Sequence, residues 1–140
     1  MHYLVYLSAA SPSFDENDLK QILIKSRENN PKSGITGILL FHDGSFIQVL
    51  EGEKEQVYAT YDRINADPRH QGVIKLIDES TEKRSFAEWS MGFKSLSSDE
   101  VQKLTGYSSL SKKEFLDSFQ HTDGRERKVV VLLRSFVNNL

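Results

Sequence analysis

Two polar side chains stand inside apolar segments that the sequence predicts to be strands. Gln48 lies in the predicted strand Ser45 to Leu50, and Tyr6 lies in the predicted strand His2 to Ser8. A buried amide without partners costs roughly 1–3 kcal/mol, and a buried tyrosine hydroxyl also needs a partner. Because an amide donates and accepts at once, the two side chains could satisfy each other as core residues or could share a ligand.

The end of the predicted first helix is polar where its buried face continues. Ser26 and Asn30 extend the apolar stripe that includes Ile22, and Asn29 lies beside them. Each asparagine alone could be a helix cap. Amide groups beside an apolar surface also suit a flat heteroaromatic ring with polar edges.

A charged group follows at the end of the predicted second helix, next to Ile64 on its apolar stripe. Spacing allows a surface ion pair between Arg63 and Asp67, which are one turn apart. With Arg69 and His70, the same residues could instead form a charged rim for the polar tail of a ligand.

Trp89 and Met91 are two positions apart on a predicted strand, so they face the same way. Alone, this pair is typical of core packing. It gains interest only if Gln48 lies on a neighbouring strand.

No catalytic set emerges from the sequence. The four histidines are at scattered positions without metal-ligand spacing, and the chain has no cysteine. No phosphate-binding glycine motif or GxSxG sequence is present. We therefore expect no metal site and no enzyme.

The pattern of apolar residues predicts an α+β fold. Ser13 and Glu16 fit a capping box, and Pro31 is expected to end the first helix near Asn30. Asp43-Gly44 predicts a tight hairpin. The predicted elements are, in order, strand His2–Ser8, a first helix, strands Ile35–Phe41 and Ser45–Leu50, helix Glu53–Asp67, and strands Val73–Ile77 and Glu88–Phe93.

This order matches the ferredoxin-like βαββαβ layout with one extra strand. We expect a five-stranded mixed sheet with both helices on one face, since each helix has a single apolar stripe. Residues 97–140 are expected to form helices that cover the other face, as a cap belonging to the same domain as residues 1–96.

Length and charge limit the remaining possibilities. The chain has 140 residues and a net charge of −2, which favours one soluble domain and no nucleic-acid partner. No apolar run of about 18 residues and no signal-peptide pattern is present, so we expect no membrane association and a cytoplasmic location.

Taken together, these features resemble the BLUF family of blue-light sensors using flavin. The residues that carry the resemblance lie in five segments: LVYLS, the stretch from Ser26 through Asn29-Asn30-Pro31 to GITG, SFIQVLEGE with Phe46, YDRINADPRH, and FAEWSMGF. They cover about residues 3–95. The resemblance implies non-covalent FAD, with FMN and riboflavin as alternatives.

The resemblance also implies roles for individual residues. Ile22 and Ile64 would hold the two sides of the ring, and Asn30 would contact its pyrimidine edge, near Ser26 and Asn29. Residues near the polar rim would be Arg63, Asp67, Arg69 and His70; Phe46 and Gln48 complete the expected binding set.

In the family, the tyrosine corresponding to Tyr6 is thought to supply an electron and then a proton to the excited flavin. A rotated or tautomerised Gln48 then persists, and the absorption moves slightly to the red. Trp89 and Met91 would pass the change onward. The short chain resembles members that act on a separate effector protein, and we expect it to form a homo-oligomer.

Two other kinds of protein share parts of this pattern. A chromophore-free ferredoxin-like regulatory module or acylphosphatase-like enzyme would need Arg and Asn on a phosphate-binding loop, and Ala9-Ala10-Ser11-Pro12 has neither. An RNA-binding sheet would need exposed aromatic residues and a basic face.

Overall fold

The computed structural model describes residues 1–42, 44–85, 92–95 and 132. The elements are β1 (His2–Ala10), α1 (Glu16–Ser33), β2 (Thr36–His42), β3 (Ser45–Gly52), α2 (Lys54–Ala66), β4 (His70–Ser80) and β5 (Gly92–Ser95). Among these residues, no helix is long and apolar enough to cross a membrane.

The sheet has the strand order β4-β1-β3-β2-β5. β1 is antiparallel to both β3 and β4, and β3 is antiparallel to β2. β1 and β2 therefore run in the same direction with β3 between them, as in a split βαβ unit. The predicted α+β fold is thus confirmed for a four-stranded antiparallel sheet with two helices. The short β5 runs parallel to β2.

Both predicted ends of α1 were wrong. Asp15, not Ser13, caps the helix: its side chain accepts from the Asp18 amide at 2.8 Å, and the Asp18 carboxylate accepts from the Asp15 amide at 3.1 Å. Pro31 lies inside the helix, which ends at Gly34 with φ 67°. A proline in the last turn removes one helical donor, and the left-handed glycine then terminates the helix.

The remaining predicted elements occur with changed lengths. The register pairs His42 with Ser45, which confirms a two-residue hairpin loop. β1 continues two residues beyond the predicted end, to Ala10, and β4 spans His70–Ser80 because it pairs along most of β1. Of the last predicted strand, residues 88–91 lie outside the described residues, as does the predicted helical cap, residues 97–140, except for a helical Leu132.

The core lies between the two helices and one face of the sheet. Leu19 and Leu23 of α1 and Val57 of α2 are at most 1% exposed and pack in one cluster with sheet residues that include Leu4 and Leu50. Both helices therefore cover the same face, as predicted. The opposite face is also buried, with side chains at most 2% exposed: Val5, Ile38, Leu40, Ile47 and Val49.

A polar cluster around Asp78 joins β1, β4 and α2 at one end of the sheet. The Asp78 carboxylate accepts from Tyr58 Oη at 2.8 Å, from Lys75 Nζ at 2.9 Å and from His2 Nε2. Partial burial raises the pKa of Asp78, but the hydrogen bonds from His2, Lys75 and Tyr58 outweigh burial and hold it well below its ordinary value.

Replacing Asp78 by Asn is expected to lower the free energy of unfolding at pH 7 by about 1 kcal/mol, because the cluster loses its charged acceptor. The folded-state pKa lies below the unfolded value of about 3.9. The carboxylate therefore stabilises the fold above that value and ceases to do so as the pH falls through the folded pKa. Urea unfolding at pH 7 and pH 3 measures this.

The exposed Asp62 on α2 offers a matched control, since Asp62→Asn removes the same charge. A stability difference between wild type and Asp78→Asn that does not shrink at pH 3, or that Asp62→Asn reproduces, would count against the cluster.

Candidate functional site

Tyr6 and Gln48 are direct partners across adjacent strands. The register pairs Tyr6 of β1 with Gln48 of β3, and strand alternation turns both side chains towards the helices. The Tyr6 hydroxyl donates a hydrogen bond to Gln48 Oε1. The two side chains that the sequence singled out are thus joined in the core.

Tyr6 is completely enclosed at 0% exposure. Its ring meets those of Tyr61 and His70 edge-on, at centroid distances of 5.8 and 6.1 Å. Burial, with smaller contributions from Tyr61 and Asp67, raises the pKa of the Tyr6 phenol far above its ordinary value. Tyr6 is therefore a fixed hydrogen-bond donor at any physiological pH.

A cavity of about 250 Å³ opens beside Gln48, between α1, α2 and the sheet. Ile22 comes from α1 and Ile64 from α2, and Gln48 and Leu50 contribute from β3. Gln48, unlike Tyr6, belongs to the lining, so its amide separates the Tyr6 hydroxyl from the cavity. The full lining is Ile22, Lys25, Ser26, Asn29, Asn30, Gln48, Leu50, Thr60, Arg63, Ile64, Asp67, Arg69 and His70.

The amides predicted at the end of α1 reach this cavity. Asn30 is 4% exposed and Gln48 is 4% exposed, so two buried amides line the same cavity. Ser26 and Asn29 also contribute to the wall. Together they offer hydrogen-bond donors and acceptors beside the apolar side chains Ile22 and Ile64.

The charged side chains that the sequence grouped together line the cavity, but their ion pair differs from the one that spacing allowed. Asp67 pairs with Arg69, with Oδ2 and a guanidinium nitrogen 2.6 Å apart. Hydrogen bonds from Arg69 lower the pKa of Asp67. Arg63 instead donates to Thr60 Oγ1 at 3.3 Å. The tight turn after α2 brings Arg69 closer to the carboxylate than the helical spacing of Arg63 does.

His70 lies deeper than a rim residue. It is 7% exposed, its ring centroid is 4.9 Å from that of Phe46, and its Nδ1 is 2.9 Å from Ser8 Oγ. Burial lowers the pKa of His70. The nearby Asp67 raises this pKa, whereas Arg69 lowers it further. The imidazole is therefore neutral near pH 7, and it connects the cavity wall to β1.

Sequence reasoning missed some members of this site. No sequence signal indicated the contact between Ser8 and His70, because the two residues are 62 positions apart. Thr60 lies on the helical stripe of Val57 and Ile64, so a polar residue on that stripe was a signal. Lys25 carried no sequence signal of a role in the site beyond its position beside Ser26. Phe46, predicted to bind a cofactor, lies behind His70 and is not part of the lining.

Two predicted site residues, Trp89 and Met91, lie outside the described residues. In the described part of the chain, no cluster of three or more His, Asp or Glu side chains could hold a metal ion.

Known proteins resemble this chain over most of its described length. Residues 1–92 match the sequence pattern of the family described as "BLUF: Sensors of blue-light using FAD". The solved structure "BlrB - a BLUF protein, dark state structure" is 29% identical, with a TM-score of 0.67 and coverage of 99% of this chain and 96% of that one.

Curated relatives are longer. The chain is 33% identical over 88 residues to the blue light- and temperature-regulated antirepressor BluF of Escherichia coli (strain K12), which covers 63% of this chain and 22% of that protein. It is 35% identical over 89 residues to photoactivated adenylate cyclase subunit beta of Euglena longa, which covers 63% of this chain and 10% of that protein.

The match over residues 1–92 spans more than half of the chain, and the Tyr6–Gln48 hydrogen bond lies within it. It favours the photoreceptor interpretation over an acylphosphatase-like enzyme or an RNA-binding sheet. This chain belongs to the BLUF family of blue-light flavin photoreceptors.

Proposed function

We propose that the cavity beside Gln48 holds the ring of a non-covalently bound flavin and that the Tyr6–Gln48 pair converts light absorption into a changed hydrogen-bond network. One observation carries this proposal: the Tyr6 hydroxyl donates to Gln48 Oε1, while Gln48 itself lines the cavity. A change at the cavity can therefore reach Tyr6 through a single side chain.

The residues that line the cavity fit a flavin ring. Its volume of about 250 Å³ lies just below the range of about 300–1,000 Å³ for pockets that enclose whole drug-sized ligands. A planar ring inside and a phosphate-bearing tail outside match that size. Ile22 and Ile64 would supply apolar contact from the two helices, and Asn30 and Gln48 would supply polar contact for the ring edge. The exposed Arg63, which also lines the cavity, would be available to a charged tail.

The chain's own groups limit what can happen after excitation. Bound flavin supplies blue-light absorption and, when excited, a strong oxidant. Tyr6 is the proposed electron donor, and its raised phenol pKa keeps its proton in place until that donation. The Tyr6 hydroxyl donates to Gln48 Oε1, so Gln48 is the first group that can accept the Tyr6 proton. Rotation or tautomerisation of the Gln48 amide would change which of its atoms donate and which accept. The change would apply both to its hydrogen bond with Tyr6 and to the group that it presents to the cavity.

The route out of the site stays a prediction. In the strand register, Gln48 pairs with Tyr6 on one side and with Leu39 of β2 on the other. Leu39 in turn pairs with Phe93 of β5, which lies two residues after Met91. This supports a role for Trp89 and Met91 in passing the change to residues 97–140. The buried face opposite the helices agrees with a cap supplied by that segment.

The family and its relatives support our proposals for the cofactor and the partner. FAD fits the family description; FMN and riboflavin share the same ring. The two relatives are named for different light-regulated activities, an antirepressor and an adenylate cyclase. This chain spans only 22% and 10% of their respective lengths. We propose that this chain signals as a homo-oligomer to a separate effector protein and turns over no substrate, in the cytoplasm.

Replacing Asn30 by Leu is expected to weaken flavin binding by roughly tenfold or more, because one buried amide leaves the cavity. The experiment reconstitutes the protein with FAD and measures affinity by fluorescence. Glu28→Gln, on an exposed position of the same helix, is the control. A protein that is colourless when purified and does not bind FAD, FMN or riboflavin would refute the proposed function.

A further inference from the structure

The segment after β4, residues 81–85, lies at one end of the sheet. β4 and β5 form opposite edges, and the connection between them runs from Ser80 to Gly92. Ser80 pairs with His2 at the start of β1, and Gly92 pairs with Ile38 near the start of β2. The described part of the connection, residues 81–85, lies at the ends of β1, β3 and β2: the Thr81 amide donates to the Met1 carbonyl at 3.0 Å, and Arg84 and Ser85 contact Thr36 and Glu51.

Glu51 is a buried carboxylate at that end of the sheet. It is 1% exposed, lies three residues beyond Gln48 on β3, and takes no part in the cavity lining. Glu51 Oε1 accepts from Thr36 Oγ1 at 2.8 Å, and Oε2 accepts from the Ser85 amide at 2.8 Å. Because a polar side chain this deeply buried is costly unless it is hydrogen-bonded, these contacts hold residues 84–85 against the sheet.

Arg84 adds a second attachment at the same point. Its Nη1 donates to Thr36 Oγ1 at 2.8 Å and to the Glu51 carbonyl at 3.1 Å. We call Thr36, Glu51, Arg84 and the Ser85 amide the Glu51 clip. Six residues separate Ser85 from the start of β5, and Trp89 and Met91 are among them.

We propose that the Glu51 clip positions the β4–β5 connection in the dark state and thereby determines how far Trp89 and β5 move when Gln48 rearranges. This inference rests on the proposed function. β3 carries both Gln48 and Glu51, so one strand joins the switch to the anchor of the segment that it would move. Glu51 and Arg84 are thus positioning residues, and weakening their contacts frees the segment without altering the cavity.

The test compares Glu51→Gln and Arg84→Met with the unaltered protein, each carrying FAD. Trp89 is the only tryptophan, so acrylamide quenching of its fluorescence reports its surroundings directly. We expect both variants to keep the red shift, while the dark Trp89 signal moves towards its lit value. Amide exchange over residues 81–85 in the dark should become roughly fivefold faster, the effect of losing one hydrogen bond.

Two matched variants separate the clip from a general loss of charge. Glu53→Gln removes a carboxylate from an exposed side chain that makes no capping bond, and Lys83→Met removes an exposed cation beside Arg84. Both should behave like the unaltered protein. Unchanged exchange and unchanged Trp89 quenching in both clip variants would overturn the proposal.

The proposed function fails separately. If the unaltered protein binds flavin but gives no red shift, the photoreceptor mechanism is rejected. Dark-state exchange over residues 81–85 then still decides the clip: faster exchange in both variants supports it, and unchanged protection overturns it.

Discussion

Tyr6→Phe is expected to retain flavin and lose the photocycle. The phenyl ring fills the same enclosed space, which is 0% exposed, so the cavity keeps its shape. The variant lacks the hydroxyl that donates to Gln48 Oε1, and it lacks the phenol that the proposed mechanism oxidises. The free energy of unfolding should fall by about 1 kcal/mol for the lost hydrogen bond. Absorption spectra before and after blue light measure the effect.

The matched control is Tyr61→Phe. Tyr61 packs edge-on against Tyr6 at a centroid distance of 5.8 Å, so its hydroxyl is removed close to the site without touching the Tyr6–Gln48 bond. That variant should keep the red shift. A normal red shift in Tyr6→Phe would remove Tyr6 from the role of electron donor.

Gln48→Leu is expected to bind flavin, absorb in the dark and show no light-induced red shift. Leucine fills a similar volume but has neither donor nor acceptor, so nothing connects the Tyr6 hydroxyl to the cavity. It also leaves a fully buried hydroxyl without this partner, which should cost about 1–3 kcal/mol of stability. Difference spectroscopy and urea unfolding measure the two effects separately.

Gln56→Leu makes the same chemical change on an exposed position of α2. It should alter neither the spectrum nor the red shift. Retention of a full, reversible red shift in Gln48→Leu would show that the switch does not depend on this amide.

The strands could be predicted well enough to join Tyr6 and Gln48. Each stands at the middle of a short apolar run, and the alternation of side chains fixes which face each one occupies. The hairpin at Asp43-Gly44 fixed the neighbour of β3, and the ferredoxin-like order put β1 on its other side. The sequence therefore indicated that the two side chains could meet, and the structure shows that they do.

Contacts between distant segments could not be predicted in the same way. Ser8 meets His70, and Glu51 holds Arg84 and Ser85, across 62 and more than 30 positions of sequence. The capping box predicted at Ser13 and Glu16 was also wrong, because the structure forms it from Asp15 and Asp18 instead. Pro31 predicted a helix end three residues too early: the proline lacks only its own N–H donor, and the helix continues to Ser33.

The proposed switch is tested most directly by the light-minus-dark absorption spectrum of the purified, flavin-bound protein. We predict a small red shift of an oxidised flavin spectrum under blue light, which reverses in darkness, because a rearranged Gln48 amide would donate a stronger hydrogen bond to the flavin. Bleaching to a reduced spectrum, or no change under blue light that the flavin absorbs, would contradict the rearrangement of the Tyr6–Gln48 pair.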